Sequence, residues 1–240
     1  MTQKLDILVF AAHPDDAELS CSGTIMKHID AGMKVGIIDL TQGELGSRGT
    51  VETRYAEASD ASKILGVEVR ENLKMSDGFF EVNEENKRLI IEVVRKYQPE
   101  IVLANAISDR HPDHGRASLL VKEACFYSGL RKIETTVNGV DQEAHRPKAL
   151  YHYIQDYYIK PDFVVDVTDY VDRKIEAIKA FKTQFFDPNS KEPSTPISGE
   201  DFFDFVKSRM KEMGRPAGAK YAEGFTVDRF PAVESLFDLK

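Results

Sequence analysis

LDILVFAAHPDDAEL, residues 5–19, is the stretch on which the fold turns. Its first eight residues form a near-continuous apolar run. A strand buried on both faces reads this way, because neither side meets water. The polarity then reverses within one turn, HPDD. From residue 17 to 31, Leu19, Gly23, Met26 and Ile29 recur at helical spacing. The stretch is therefore a strand, a tight turn stiffened by Pro14 and a helix. In open α/β sheets ligands bind beyond the carboxyl ends of strands. His13, Asp15 and Asp16 fall at such a place.

Outward from this unit the same alternation continues. Residues 35–40 read as a second strand, followed by a glycine-rich loop over 43–49. A helix over 51–65 stops at Gly66, a common helix-ending glycine. Residues 67–73 are a third strand, 82–97 a helix closed by Pro99, 101–105 a strand and 114–127 a helix. Two more strands are expected at 150–155 and 163–167, and helices at 171–185 and 202–213. Strand–helix alternation of this kind implies an α/β, Rossmann-like fold, a mostly parallel sheet with helices on both faces. The chain, 1–240, is expected to be one domain with a loop-rich C-terminal part from about residue 185. Two Gly/Pro/Ser-rich stretches, 187–199 and 214–224, are expected to be loops that wall the site or contact another subunit.

Composition excludes several functions. Acidic residues outnumber basic ones, 40 to 32, giving a net charge of −8 without any basic block. No nucleic-acid partner is expected. No run approaches the ~20 apolar residues of a membrane helix. The opening MTQK lacks the basic-then-apolar pattern of a signal peptide, so a cytoplasmic protein is expected. Cys21 and Cys125 form no CxxC pair and read as small buried apolar residues.

The chemistry lies in two histidine motifs. AHPDDAE, residues 12–18, follows the first strand, and HPDH, residues 111–114, follows the strand at 101–105. Three of the six histidines fall in these motifs. A catalytic zinc takes three ligands from His, Asp and Glu, plus water. His13 and Asp16, at i and i+3, can face one metal across a single turn, and HPDH adds a histidine. Asp15 then points elsewhere and is free to act as a base. The competing reading makes Asp15 and Asp16 helix caps and the histidines surface residues. His28 and His145 read as ordinary surface residues, and His152 is left unassigned.

Other functions fit less well. A dinucleotide site needs G-x-G-x-x-G after the first strand, where this chain has HPDD; Asp39 only imitates the ribose-binding acid. A non-haem iron oxygenase would accept His13, Asp16 and His114 as its triad, but leaves Asp15 without a purpose. A non-catalytic sugar-binding module has no need of a spare base beside a metal triad.

The pair AHPDDAE and HPDH resembles the LmbE-like, or PIG-L, family of N-acetylglucosaminyl deacetylases. The segment TQGELGSRGTVETRYAEASDASKILGV, residues 41–67, and AEGF, 222–225, resemble its bacillithiol-biosynthesis branch, which acts on N-acetylglucosaminyl-malate. A chitobiose-type deacetylase of the same family is the alternative. The resemblance implies one Zn²⁺ per chain, or another divalent metal, on His13, Asp16 and His114. It implies Asp15 as general base, His111 as electrophilic or acid partner, and Asp113 as the residue orienting His111. A protonated His111, its pKa raised by Asp113, would best stabilise an oxyanion. Arg54 is implied to hold substrate and Asp77 to contact sugar hydroxyls. Arg54, or in reserve Arg110, would bind a malate carboxylate in a guanidinium fork; the competing reading is a surface Arg54 paired with Glu52 or Glu57. One departure from a mycothiol-pathway relative is Asp109, where that relative has a tyrosine. The family's habit implies a homo-oligomer, hexamers included.

Overall fold

The structure is a computed structural model that describes residues 4–185 and 191–238. The opening residues of MTQK and residues 187–190 of the expected 187–199 loop lie outside the described residues.

The chain runs β1 (Ile7–Ala11), α1 (Asp16–Asp30), β2 (Val35–Thr41), α2 (Val51–Leu65), β3 (Val69–Met75), α3 (Glu84–Tyr97), β4 (Ile101–Ala104) and α4 (Pro112–Ser128). A small hairpin, β5 (Thr136–Val137) and β6 (Val140–Asp141), precedes β7 (Ala149–Tyr153) and β8 (Phe163–Asp166). Then come α5 (Val171–Lys179), α6 (Phe202–Gly214) and β9 (Ala222–Val227). The main sheet has seven strands in the order β3-β2-β1-β4-β7-β9-β8. The first five are parallel; β9 runs antiparallel to both β7 and β8. The expected Rossmann-like, mostly parallel architecture is the one observed.

β1 shows why. Every one of its residues is buried, and they alternate between two cores. Leu8 and Phe10 join Ile90 and Val94 of α3 and Leu120 and Val121 of α4. Ile7, Val9 and Ala11 join Ala17, Cys21 and Ile25 of α1, Leu65 of α2 and Ala177 of α5. Successive strand side chains point to opposite faces, so an apolar run needs a helical layer on each. α2 begins in a capping box between Thr50 and Thr53 and ends at Gly66, whose φ of 83° is left-handed.

Two expectations need correction. The helix expected over 171–185 ends at Lys179. Beyond it the chain turns, so that Thr183 N donates to Glu57 and Gln184 reaches Arg54. The loop expected over 214–224 instead holds the end of α6, a short 3-10 turn and the start of β9. Gly224 suggested a loop, but it is a strand residue in a tight place: a Cβ there would lie 3.0 Å from Met213 Sδ. Glycine here admits α6 close to the sheet.

Candidate active site

β1 and β4 are hydrogen-bonded neighbours in the centre of the sheet. Strand order reverses between them, which makes their carboxyl ends the topological switch point. The loops that follow therefore meet. The His13 and His111 rings lie 4.6 Å apart, His111 and His114 5.3 Å, and His13 and His114 5.6 Å. Pro112 occupies the first turn of α4 with His111 as its N-cap residue, so HPDH both starts that helix and faces the crevice.

Asp16 lies between the two motifs. One carboxylate oxygen is 3.6 Å from His13 Nδ1 and accepts from Asn105 Nδ2; the other is 3.1 Å from His114 Nε2. His13 Nε2 faces Asp77 at 3.1 Å and Asp113 at 3.3 Å. His114 Nδ1 bonds Asp109 at 2.5 Å. Burial lowers the His13 pKa, but Asp113, Asp16 and Asp77 outweigh it and hold it well above the ordinary imidazole value. Burial likewise opposes charge on His114, yet Asp16 and Asp109 raise it to about 9. Asp16, despite burial, is held well below the usual carboxylate range by the two histidines.

The field at this point therefore favours positive charge, and a divalent cation supplies that charge when the imidazoles give up their protons to bind it. Among the described residues, ligand atoms of His13, His111 and His114 lie within 4.8 Å of one another, as do those of His13, Asp77 and Asp113. The donor set fits a metal.

Asp15 takes the N-cap position of α1, but its side chain makes no capping bond, contrary to the helix-cap reading. Its backbone sits at φ 131°, strained for any residue but glycine. Asp15 is 5% exposed, and its carboxylate accepts from Arg54 Nη1 at 3.1 Å. Burial pushes its carboxyl up to about 6, against the Arg54 guanidinium, which lowers it.

Arg54 is thus placed differently from either expectation. It is buried at 7% exposure rather than paired at the surface with Glu52 or Glu57. Nη1 donates to Pro14 O and Asp15, and Nη2 to Gln184 Oε1. Both terminal nitrogens of its fork thus hold the protein, while Nε has no partner among the described residues. Arg110 lies at the rim, on Asp156. Asp77 faces the cluster, with its carboxylate on His13 and on the amide of Leu45.

The pairing of Asp113 with His111 also needs correction. The Asp113 carboxylate turns to His13, to the amide of Gly78 and to Arg116 one turn along α4. Only its backbone N–H meets His111, at Nδ1. That bond places the His111 proton on Nε2. Burial, then His13 and His114, hold the His111 pKa below the ordinary imidazole value, against Asp113 and Asp16, which raise it. The cluster also includes residues that sequence reasoning missed. Asp109 orients His114, Asn105 and Gln155 hold Asp16, and Gln184 holds Arg54. Asp109 carried a signal, an acid just ahead of HPDH; the amides carried none. His152 lies below, donating from Nδ1 to Asn105 O.

A cavity of about 420 Å³ opens over this cluster. Part of each loop-like stretch lines it: Thr195, Pro196 and Ile197 from the first, and Ala222, Glu223 and Gly224 from the second. The fold and this cluster define a doubly wound α/β enzyme with a group of His and Asp side chains that could hold a metal at its switch point. The profile of the PIG-L family, described as GlcNAc-PI de-N-acetylase, matches residues 8–125. A crystal structure of the conserved protein TT1542 from Thermus thermophilus is 34% identical, with a TM-score of 0.84 over 96% of this chain and 97% of that one. The chain belongs to the PIG-L family of N-acetyl amide hydrolases. Diacetylchitobiose deacetylase of Thermococcus kodakarensis is 28% identical, over 91% of this chain and 81% of its own length. A 4-oxalmesaconate hydratase of Pseudomonas putida is 27% identical, over 76% and 75%. A probable N-acetyl-alpha-D-glucosaminyl L-malate deacetylase 2 of Bacillus anthracis is 26% identical, over 77% and 84%.

Proposed function

We propose that this chain is a zinc-dependent deacetylase of an N-acetylglucosamine conjugate, namely N-acetylglucosaminyl-malate in bacillithiol biosynthesis. The carrying observation is the meeting of His13, Asp16 and His114 beside a buried, arginine-held Asp15 at the β1–β4 switch point. Such a set suits amide hydrolysis by water. The 4-oxalmesaconate hydratase likeness makes addition of water to a carbon–carbon double bond the chief rival chemistry.

His13, Asp16 and His114 would hold the metal, a two-histidine, one-carboxylate set of the hydrolytic kind. His111 is left out because its Nδ1 is engaged at the head of α4. When bound, zinc lowers the pKa of a water toward ~7 and polarises a carbonyl. Asp15 is the base that takes the proton of the attacking water. His111 donates from Nε2 to the oxygen on which charge develops. The carbon–nitrogen bond breaks as the amine takes a proton, leaving acetate and the free amino sugar. Arg54 acts through Asp15 by fixing its carboxylate and the Pro14 carbonyl. The protein would work as a homo-oligomer in the cytoplasm; no described helix is long and apolar enough to cross a membrane.

With Arg54 engaged, Arg110 at the rim would take a malate carboxylate, leaving Asp156 to do so. The same engagement favours a second reading, an uncharged chitobiose-type conjugate. A panel of N-acetylglucosaminyl-malate, diacetylchitobiose and an unsaturated dicarboxylate, run with zinc-loaded protein, tests the choice. The malate conjugate should be turned over fastest, and Arg110→Ala should slow it at least about tenfold more than chitobiose. Arg54→Ala should slow both conjugates alike. Preference for chitobiose rejects the malate assignment, and turnover of the dicarboxylate alone rejects deacetylation.

A further inference from the structure

The cavity over the metal-ligand cluster has two unlike ends. At one stand His13, Asp15, Asp16, His111 and His114. The other is walled by Leu19 of α1 and by Phe202, Val206, Met210 and Met213 of α6. The α6 residues recur at i, i+4, i+8 and i+11, so one apolar stripe of that helix faces the cavity. Against that stripe a sugar gains little, since its hydroxyls would lose water to apolar side chains. An acetyl group is too small to account for a space at the scale of whole ligands.

The apolar end is also closed. Met210, Met213 and Ala222 are 3%, 4% and 1% exposed, and the buried ion pair of Lys174 and Glu223 lines the cavity with them. The exposed part of the lining includes half-exposed Phe205, whose ring lies 6.1 Å from that of Phe202, and the rim residue Arg110. A blind end suits the terminus of a chain, and an open rim suits the bulky remainder of a conjugate. Methionine is unbranched and adapts to ligands of differing length, and two of the wall residues are methionines.

We propose that this apolar end is an acyl subsite, and that the enzyme hydrolyses N-acyl amino sugars carrying straight acyl chains longer than acetyl. The proposal rests on the amide-hydrolase reading above. The water oxygen bonds to the acyl carbon and the bond from that carbon to nitrogen breaks. The nitrogen gains the proton taken up by Asp15 and leaves as an amine, and the chain leaves as its carboxylate. Water is the only co-reactant.

Two measurements on zinc-loaded protein test this. The first compares kcat/KM for N-acetyl-, N-butyryl- and N-hexanoylglucosamine. The hexanoyl compound should exceed the acetyl one by at least about tenfold, within the range that added methylenes gain in an apolar pocket. Val206→Phe, which fills the closed end, should reverse that ratio, and Met210→Ala should preserve or raise it. The second measures binding of hexanoate and acetate by calorimetry, independently of turnover. Hexanoate should bind at least about tenfold tighter, and Val206→Phe should abolish the difference. Turnover confined to the acetyl substrate, with no preference for hexanoate, overturns the acyl subsite and leaves the deacetylase reading standing. Chain-length-dependent binding without cleavage of any amide supports the subsite and overturns the hydrolase reading. Equal binding of the two carboxylates without any cleavage overturns both.

Discussion

Asp15 joins strain to chemistry. Its φ of 131° costs energy that the Asp15–Arg54 bond and the Arg54–Pro14 carbonyl bond help to offset. Asp15→Asn should retain the metal and slow turnover by about 10²–10⁴-fold, the usual effect of losing a general base. Urea denaturation should find Asp15→Gly more stable than Asp15→Ala by about 1 kcal/mol, because only glycine accepts that φ freely. Equal stability would show that the strain is not real. Asp109 acts one shell further out. Its carboxylate fixes the Nδ1 side of His114 and leaves Nε2 facing Asp16. Asp109→Asn should weaken zinc binding by about 10–100-fold, measured by competition with a chelator, with secondary structure unchanged. Undiminished affinity would reduce Asp109 to an anchor for the amide of Tyr157.

At the scale of elements, α1 and α5 are both tied to β9, one strand in from the edge, through Glu223. Glu223 of β9 accepts from the amides of Gly23 and Thr24 within α1 and from Lys174 of α5. Lys174 and Glu223 side chains are 1% and 2% exposed, so neither charge has water as a substitute partner. Lys174→Met should cost about 3–5 kcal/mol in equilibrium unfolding, the penalty for leaving one buried charge alone. A loss below about 1 kcal/mol would mean that water reaches Glu223. Gly23 adds a steric reason for the same packing, since a Cβ there would lie 2.8 Å from Val167 Cβ. Lys174 did not stand out in the sequence and Glu223 entered only within AEGF, without a role, because a buried charge and a surface charge are written alike. α1 itself was legible from its spacing and α2 from its glycine stop. β9 was missed because AEGFTV mixes a charge and a glycine into a short strand.

In the whole molecule the two cysteines lie in different helical layers. Cys21 packs with one core and Cys125 with the other. Burial pushes the Cys21 thiol well up and the Cys125 thiol to about 12. Both should resist a thiol reagent at about pH 8 in the native protein and react together only on global unfolding. Labelling of either one alone in the folded state would reveal local opening of its layer. The apolar run at residues 5–12, the strand–helix alternation and the two histidine motifs were fixed by the sequence alone, since burial on two faces and helix spacing are local patterns. That these motifs could meet followed from strand adjacency, which a parallel sheet allows but only its strand order supplies. Tertiary structure alone decided where charged side chains spend their hydrogen bonds. Arg54 grips Asp15 and Gln184 instead of facing outward, and the Asp113 carboxylate goes to His13 and Arg116 instead of His111. Those choices depend on burial and on partners brought from other elements, and a carboxylate or guanidinium accepts whichever partner the packing places within about 3 Å of it.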